Sequence, residues 1–103
     1  MHEMFDDEGF LTDLNAWSEE LATHIAQHEG ITLSAAHWEI IWLVRDFYQQ
    51  YDLSPANRAL VKAVKLKLGD EKGNSIYLLS LFPESPAKLA SKIAGLPKPA
   101  NCF

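Results

Sequence analysis

The stretch SAAHWEIIWLVRDFYQQYDLSPANRALVKAVKLKLG, residues 34–69, decides the fold. It reads as two helices joined by a short connection. Ser34 opens the first as an N-cap, because its hydroxyl can accept from a first-turn N–H that has no partner within the helix. From there to about Tyr51 only Glu39, Asp46 and Gln50 make a polar strip, while Trp38, Ile40, Ile41, Trp42, Leu43, Val44, Phe47 and Tyr48 cover the remainder. That helix is predicted to be central and largely buried. Ser54-Pro55 opens the second helix with a cap and a proline at the first helical position, and Gly69 supplies a left-handed stop. Leu60, Val61, Val64 and Leu68 share one of its faces; Arg58, Lys62 and Lys65 share the opposite one.

Working outward, Ser18 with Glu19 and Glu20 opens a helix that Gly30 closes, its apolar side built from Trp17, Leu21 and Ile25 at four-residue spacing. On the other side of the stretch a short helix spans about Ser75 to Leu81 and stops at Phe82-Pro83. Ser85-Pro86 then repeats the cap-plus-proline opening for a helix ending near Ala94, with Gly95 as its stop. Glu8-Gly9-Phe10-Leu11 holds a turn and a scrap of strand, too short to build a sheet alone. The expected fold is mainly α: a compact orthogonal bundle of about five helices with a helix-turn-helix-like core, a vestigial N-terminal β-hairpin at most, and an extended C-terminal arm. Residues 1–95 form its single domain and 96–103 the flexible arm.

The 103 residues and 11.6 kDa sit below one typical domain length, and an 11.6 kDa chain buries roughly two-thirds of its unfolded surface, leaving about 6,000 Å² exposed. With 48% hydrophobic and 22% charged residues the chain is neither disordered nor collagenous, and one cysteine excludes an internal disulfide. The net charge of −5 hides an asymmetry: residues 1–44 hold nine Asp/Glu and no Lys or Arg, whereas the rest holds nine Lys/Arg against five Asp/Glu. Partners can therefore dock by charge at either pole. The start lacks a basic-then-apolar export signal and no run approaches 18 apolar residues, so a soluble, cytoplasmic protein without membrane association is expected.

The tail Leu96-Pro97-Lys98-Pro99-Ala100-Asn101-Cys102-Phe103 has two prolines around a lysine, which favours an extended path over a helix. Seven steps from Gly95 let Cys102 travel up to about 23 Å from the last helix. An exposed thiol of pKa about 8.5 is a few per cent thiolate at neutral pH, enough to attack a sulfur electrophile, and Lys98 would raise that fraction while the terminal carboxylate lowers it. Placement alone leaves three roles open: a reactive or carrier thiol, a passive tail cysteine, or a metal ligand.

A wider pattern bears on the choice. Leu81-Phe82-Pro83, Ser85-Pro86-Ala87-Lys88-Leu89-Ala90, Lys92-Ile93-Ala94-Gly95-Leu96-Pro97-Lys98-Pro99 and the penultimate Cys102 resemble the TusE/DsrC family of small sulfur-carrier proteins. The resemblance extends through Trp17-Ser18, Glu29-Gly30-Ile31, His37-Trp38, Arg45-Asp46-Phe47-Tyr48, Ser54-Pro55-Ala56, Arg58 and Glu71-Lys72-Gly73-Asn74. It implies a sulfurtransferase that carries sulfur as a persulfide on Cys102, receives it from a Tus-type heterocomplex, and passes it to an ATP-using thiolase of tRNA wobble uridine, with tRNA met only indirectly. Two departures qualify it. Family members of sulfite-reducing or sulfur-oxidising pathways place a second cysteine where this chain has Ser91, which points to the TusE branch. The family also begins with a longer stretch forming a small hairpin, so here either the hairpin is lost or the start is truncated.

Around Cys102, Arg45 and Arg58 are candidates to pair with the Phe103 carboxylate or to steady a persulfide, against a plain salt bridge to the acidic first half or simple solvation. Lys92 and Lys98 read as solvated charges or docking contacts. No metal, nucleotide or flavin cofactor is implied, because no phosphate loop or dense Cys/His cluster exists; Glu20, His24 and His28 share a helix face but lack a second cluster to complete a metal shell. Trp17, Trp38 and Trp42 are expected in the core. The rival functions are a DsrC-like partner in sulfite reduction or sulfur oxidation, a helix-turn-helix module led by Asn57 and Arg58, and an interaction protein whose tail docks as a peptide. DNA binding is not expected at a pI near 5.2, since duplex binders carry a basic footprint.

Overall fold

The computed structural model describes residues 4–99. Five helices follow a short 3₁₀ turn at Leu14–Ala16: α1 Glu19–His28, α2 Ala35–Tyr51, α3 Asn57–Leu68, α4 Ser75–Leu81 and α5 Pro86–Ile93. There is no sheet among the described residues. The expected hairpin reduces to one antiparallel bridge, Phe5 to Leu11, closed by Asp6, whose Oδ1 accepts from the N–H groups of Glu8 and Phe10 at 2.9 Å each. The accessible surface of 6271 Å² matches the value expected from mass.

Local chemistry sets most helix starts. Ser18 accepts from Leu21 N–H at 3.1 Å, and Ser34 forms a capping box with His37, which carries the role usually filled by Glu or Gln. The His37 ring then reaches across the core, its Nε2 lying 2.8 Å from Leu81 O, and so ties α2 to the end of α4. Asn74 caps α4 through Tyr77 N–H at 2.8 Å.

Two expected caps are corrected. α3 begins at Asn57, after Ala56, and not at Pro55; the Ser54 hydroxyl donates instead to Pro97 O in the C-terminal arm at 2.6 Å. Ser85 makes no side-chain capping bond to α5. Asn57 Oδ1 does that work from α3, accepting from Ala87 N–H at 3.0 Å. In neither case does the nearest serine cap the helix: Ser54 is taken up by the arm, leaving α3 without a side-chain cap, and the first turn of α5 is served from α3 instead.

The core joins Ile40, Ile41 and Val44 of α2 to Leu60 and Val64 of α3, Leu78 and Phe82 around α4, and Ala87, Ala90, Ile93 and Ala94 of α5. α2 shares the centre with α5, which packs against all four other helices. Small residues explain this: Ala87, Ala90, Ser91 and Ala94 are fully buried and let neighbouring backbones approach closely. The tryptophan cluster also needs correction. Trp17 meets Trp42 edge-on at 5.3 Å and Trp38 stacks on Trp42 at 5.9 Å, but Trp42 is 43% exposed. Trp17 and Trp38 are half-buried against the core, and only Trp42 lies on the outer flank of α2, because the inner row is filled by Ile40, Ile41 and Val44.

Candidate functional site

The site is the end of α5 and the arm that leaves it. A helix ends with carbonyls that have no intrahelical donor, and in a buried terminus each must be satisfied. Here the account closes. Ala90 O accepts from Ala94 N–H, Lys92 O from Gly95 N–H and Ser91 O from Leu96 N–H, a Schellman turn in which Gly95 has φ +76° and Leu96 is 2% exposed. Two carbonyls remain, pointing toward α2 and the segment before α1. Trp17 Nε1 donates to Ile93 O at 2.9 Å, and Arg45 Nη1 donates to Ala94 O at 2.7 Å.

These two donors form one unit, with the Arg45 guanidinium 3.9 Å above the Trp17 ring. Gly95 lies against the same indole, so closely that a Cβ there would overlap Trp17 Cδ1. Burial pushes the Arg45 guanidinium below its usual pKa, but it remains charged at any physiological pH. Arg45 thus sets the exit direction of the arm through its backbone.

Beyond Gly95 the arm is extended and fastened through Pro99. Leu96 and Pro99 are buried, Ser54 holds Pro97 O, and Lys98 Nζ donates to Glu8 Oε2 at 2.9 Å. Lys88 Nζ lies 3.9 Å from the same oxygen. The Lys98 ammonium holds the exposed Glu8 carboxyl below the usual carboxylate range. Three regions far apart in sequence therefore meet on the root: the N-terminal turn, the α2–α3 connection and the end of α5.

The candidate residues separate accordingly. Arg45 and Lys98 come together at the arm root. Lys92, expected in solvent or at a docking surface, is buried: its ammonium pairs with Glu29 at 3.0 Å and lies 5.2 Å from the Phe10 ring, fixing the N-terminal turn to α5 and α1. Arg58 is exposed on α3 and has no ion pair among the described residues. Cys102 and Phe103 lie outside the described residues, as does any pairing with the Phe103 carboxylate. Ser91 is fully buried, and its Oγ has no hydrogen-bond partner among the described residues. Among the described residues no group of three His, Cys, Asp or Glu is placed to hold a metal ion, and His24 and His28 simply pack ring to ring at 4.9 Å. No helix among the described residues is long and apolar enough to cross a membrane.

Sequence reasoning missed Trp17, Ser54 and Glu8 as arm-holding residues. One signal was available: α5 ends at a Gly-Leu-Pro junction with more carbonyls than the turn can satisfy, which calls for outside donors.

The comparisons with known proteins converge. The whole of residues 2–103 matches the family model described as DsrC like protein. The Sulfurtransferase TusE of Sodalis glossinidius (strain morsitans) is 63% identical over 98 residues, covering 95% of this chain and 91% of that protein. The Sulfurtransferase TusE of Escherichia coli (strain K12) is 59% identical over 98 residues, covering 95% and 90%. Among solved structures, the NMR structure of Allochromatium vinosum DsrC superposes with a TM-score of 0.87 at 49% identity, covering 96% of this chain and 88% of that one. The crystal structure of the oxidized gamma-subunit of the dissimilatory sulfite reductase (DsrC) from Archaeoglobus fulgidus gives 0.82 at 40% identity, covering 96% and 90%.

Proposed function

The chain belongs to the DsrC-like family, and on that premise we propose that it is a relay protein that accepts sulfane sulfur on Cys102 and hands it on for thiolation of the tRNA wobble uridine. It is a sulfurtransferase, as its relatives are. The observation that carries the reading is a juxtaposition. The chain's one cysteine stands three residues beyond Pro99, the last described residue of an arm whose root is held by Arg45, Trp17, Ser54 and Glu8.

The chemistry is exchange at a sulfane sulfur. The Cys102 thiolate attacks the outer sulfur of a donor cysteine persulfide; the new S–S bond forms as the donor's S–S bond breaks, and the donor sulfur leaves as thiolate. The products are Cys102–S–SH and a reduced donor, so no external oxidant or reductant enters. In the second half the roles reverse, and the sulfur passes to a nucleophile of the acceptor. The chain supplies position: the arm is fastened at its root through Pro99, and Cys102 follows three residues later in the sequence, to be met by two different proteins in turn. The donor is a Tus-type heterocomplex and the acceptor a tRNA thiolase, with tRNA met only through that enzyme. The reaction runs in the cytoplasm.

Intact-mass spectrometry tests this. Wild type and Cys102→Ser are incubated with a cysteine desulfurase, L-cysteine and the Tus-type donor. The expected result is a gain of about 32 Da, one sulfur, on wild type only and reversed by reductant. No gain from a donor that loads a control acceptor would refute the proposal.

A further inference from the structure

Between α2 and α3 the surface opens into a cleft of about 470 Å³. Its lips are apolar and exposed: Trp42 is 43% exposed, Tyr51 53% and Leu66 77%, with Leu43 and Phe47 behind them. The two walls differ in charge. α3 contributes Lys62 and Lys67, and α2 contributes Glu39 and Asp46. Lys72 already neutralises Glu39 at 2.7 Å, whereas Asp46, Lys62 and Lys67 have no ion pair among the described residues. Arg45 and Asp46 are successive residues, about 100° apart around the helix, so the cleft and the arm root lie on different flanks of α2. The two adjoin where Trp42, on the cleft lip, packs edge-on against Trp17 at 5.3 Å.

We propose that this cleft docks an amphipathic helix of a partner protein, with its apolar face inward, an acidic flank toward Lys62 and Lys67, and a basic residue toward Asp46. From Glu39 to Tyr51 the α2 wall runs about 18 Å, the length of roughly twelve helical residues, enough for anchors at i, i+4 and i+7. Opposite charges on the two walls also fix direction. A helix laid in backwards with the same face inward exchanges its flanks and puts its acidic side against Asp46. That the docked protein is one that exchanges sulfur with Cys102 rests on the carrier reading above; the docking itself does not.

The probes are two stapled peptides, each roughly 12–15 residues because shorter free helices are marginal in water, that share one apolar face and carry opposite flank charges. They are titrated into the ¹⁵N-labelled full chain. The peptide with the acidic flank toward α3 is expected to shift α2 and α3 resonances and to bind about tenfold more weakly to Lys62→Glu,Lys67→Glu. The charge-swapped peptide satisfies both walls only when laid in the opposite direction, so a spin label at its N-terminus is expected to broaden resonances at the other end of α2. Both lysines are exposed, so the fold is retained, which circular dichroism checks. Undiminished binding of the first peptide to Lys62→Glu,Lys67→Glu, the same direction for both peptides, or shifts outside the cleft, overturns the proposal. So do cleft shifts that grow with protein concentration alone, which assign the surface to a second copy, or that follow deletion of residues 100–103, which assign it to the chain's own tail. In a loading assay the first peptide is expected to block transfer from a protein donor and to leave loading by glutathione persulfide unchanged. Loading by neither donor defeats the carrier reading and leaves the docking to be judged from the resonances. Loading by both without inhibition removes the cleft from the relay.

Discussion

Gly95→Ala tests the idea that the exit turn of the arm is built against Trp17. At φ +76° an alanine in the left-handed region costs about 1–2 kcal/mol. Its Cβ would also overlap Trp17 Cδ1 and lie 2.9 Å from Cγ, so the indole has to move; such overpacking costs about 1–3 kcal/mol. Moving the indole strains the Trp17 Nε1 bond to Ile93 O, worth about 1 kcal/mol. The total is about 3–6 kcal/mol, a large share of the 5–15 kcal/mol that holds a domain of this kind together. Gly30→Ala is the internal control, because Gly30 has the same φ of +76° but no atom within 4 Å of an added Cβ. It is expected to cost about 1–2 kcal/mol, the backbone part alone. Urea unfolding followed by far-UV circular dichroism reads the difference, about 2–4 kcal/mol, or roughly 10–30 °C in Tm. In a Trp17→Ala background the cost of Gly95→Ala should fall to that of Gly30→Ala. Equal costs at the two glycines, or a Gly95 cost untouched by loss of the indole, would refute the reasoning.

Ser91→Ala removes a fully buried hydroxyl that has no partner among the described residues; stability is expected to rise by up to about 1 kcal/mol, and a fall of that size in urea midpoint energy counts against the assignment. Ser54→Ala deletes the bond to Pro97 O and is expected to cost about 1 kcal/mol, with faster hydrogen exchange and proteolysis confined to the arm; uniform destabilisation would mean that Ser54 matters only to the body. The Glu8 carboxyl titrates lower in the folded chain than in the unfolded one because Lys98 holds it. Its contribution to arm fastening is therefore complete above the ordinary carboxylate pKa and lost as pH falls through the depressed value. Arm exchange protection should drop across that window, and Glu8→Gln should remove the dependence; an unchanged profile in Glu8→Gln assigns it to another group.

What the sequence made legible was what local chemistry determines. Ser18 and Ser34 cap the helices they precede, because the nearest orphan N–H groups are two or three residues away and nothing competes for them. The place of Cys102, the chain's one thiol, in a proline-bearing tail is read directly from the sequence, while the choice among its three roles came from the family resemblance. The dominance of α5 was hidden: an eight-residue, alanine-rich segment carries little periodic signal, and its importance comes from how close four neighbours can approach it. Ser54 was misassigned for the opposite reason. Ser-Pro is a good local cap, but the hydroxyl is engaged by a carbonyl 43 residues away in the arm. Trp42 was placed inside on hydrophobicity alone, which does not say that Ile40, Ile41 and Val44 already fill the inner row of α2. The fastening of the arm by Glu8 joins residues 90 apart, and no pattern within a helix or loop announces such a pair.

That fastening alters how a tail cysteine of this kind can work. Counted from Gly95, seven residues allow Cys102 a radius of about 23 Å; counted from Pro99, three residues allow about 10 Å. The volume open to the thiol shrinks with the cube of the radius, so its concentration at a protein seated on the body rises by about tenfold without any new contact. Nucleophilicity cannot supply this gain, because lowering the thiol pKa to increase its thiolate fraction also lowers its intrinsic reactivity. In a relay the same cysteine must attack one partner and then be attacked by the next, so a strongly activated thiolate would favour one half of the cycle at the expense of the other. Raising local concentration favours both halves equally. The Trp17–Arg45 unit and the contacts of Ser54 and Glu8 with the arm are thus better suited to a carrier than an activating group beside the sulfur would be.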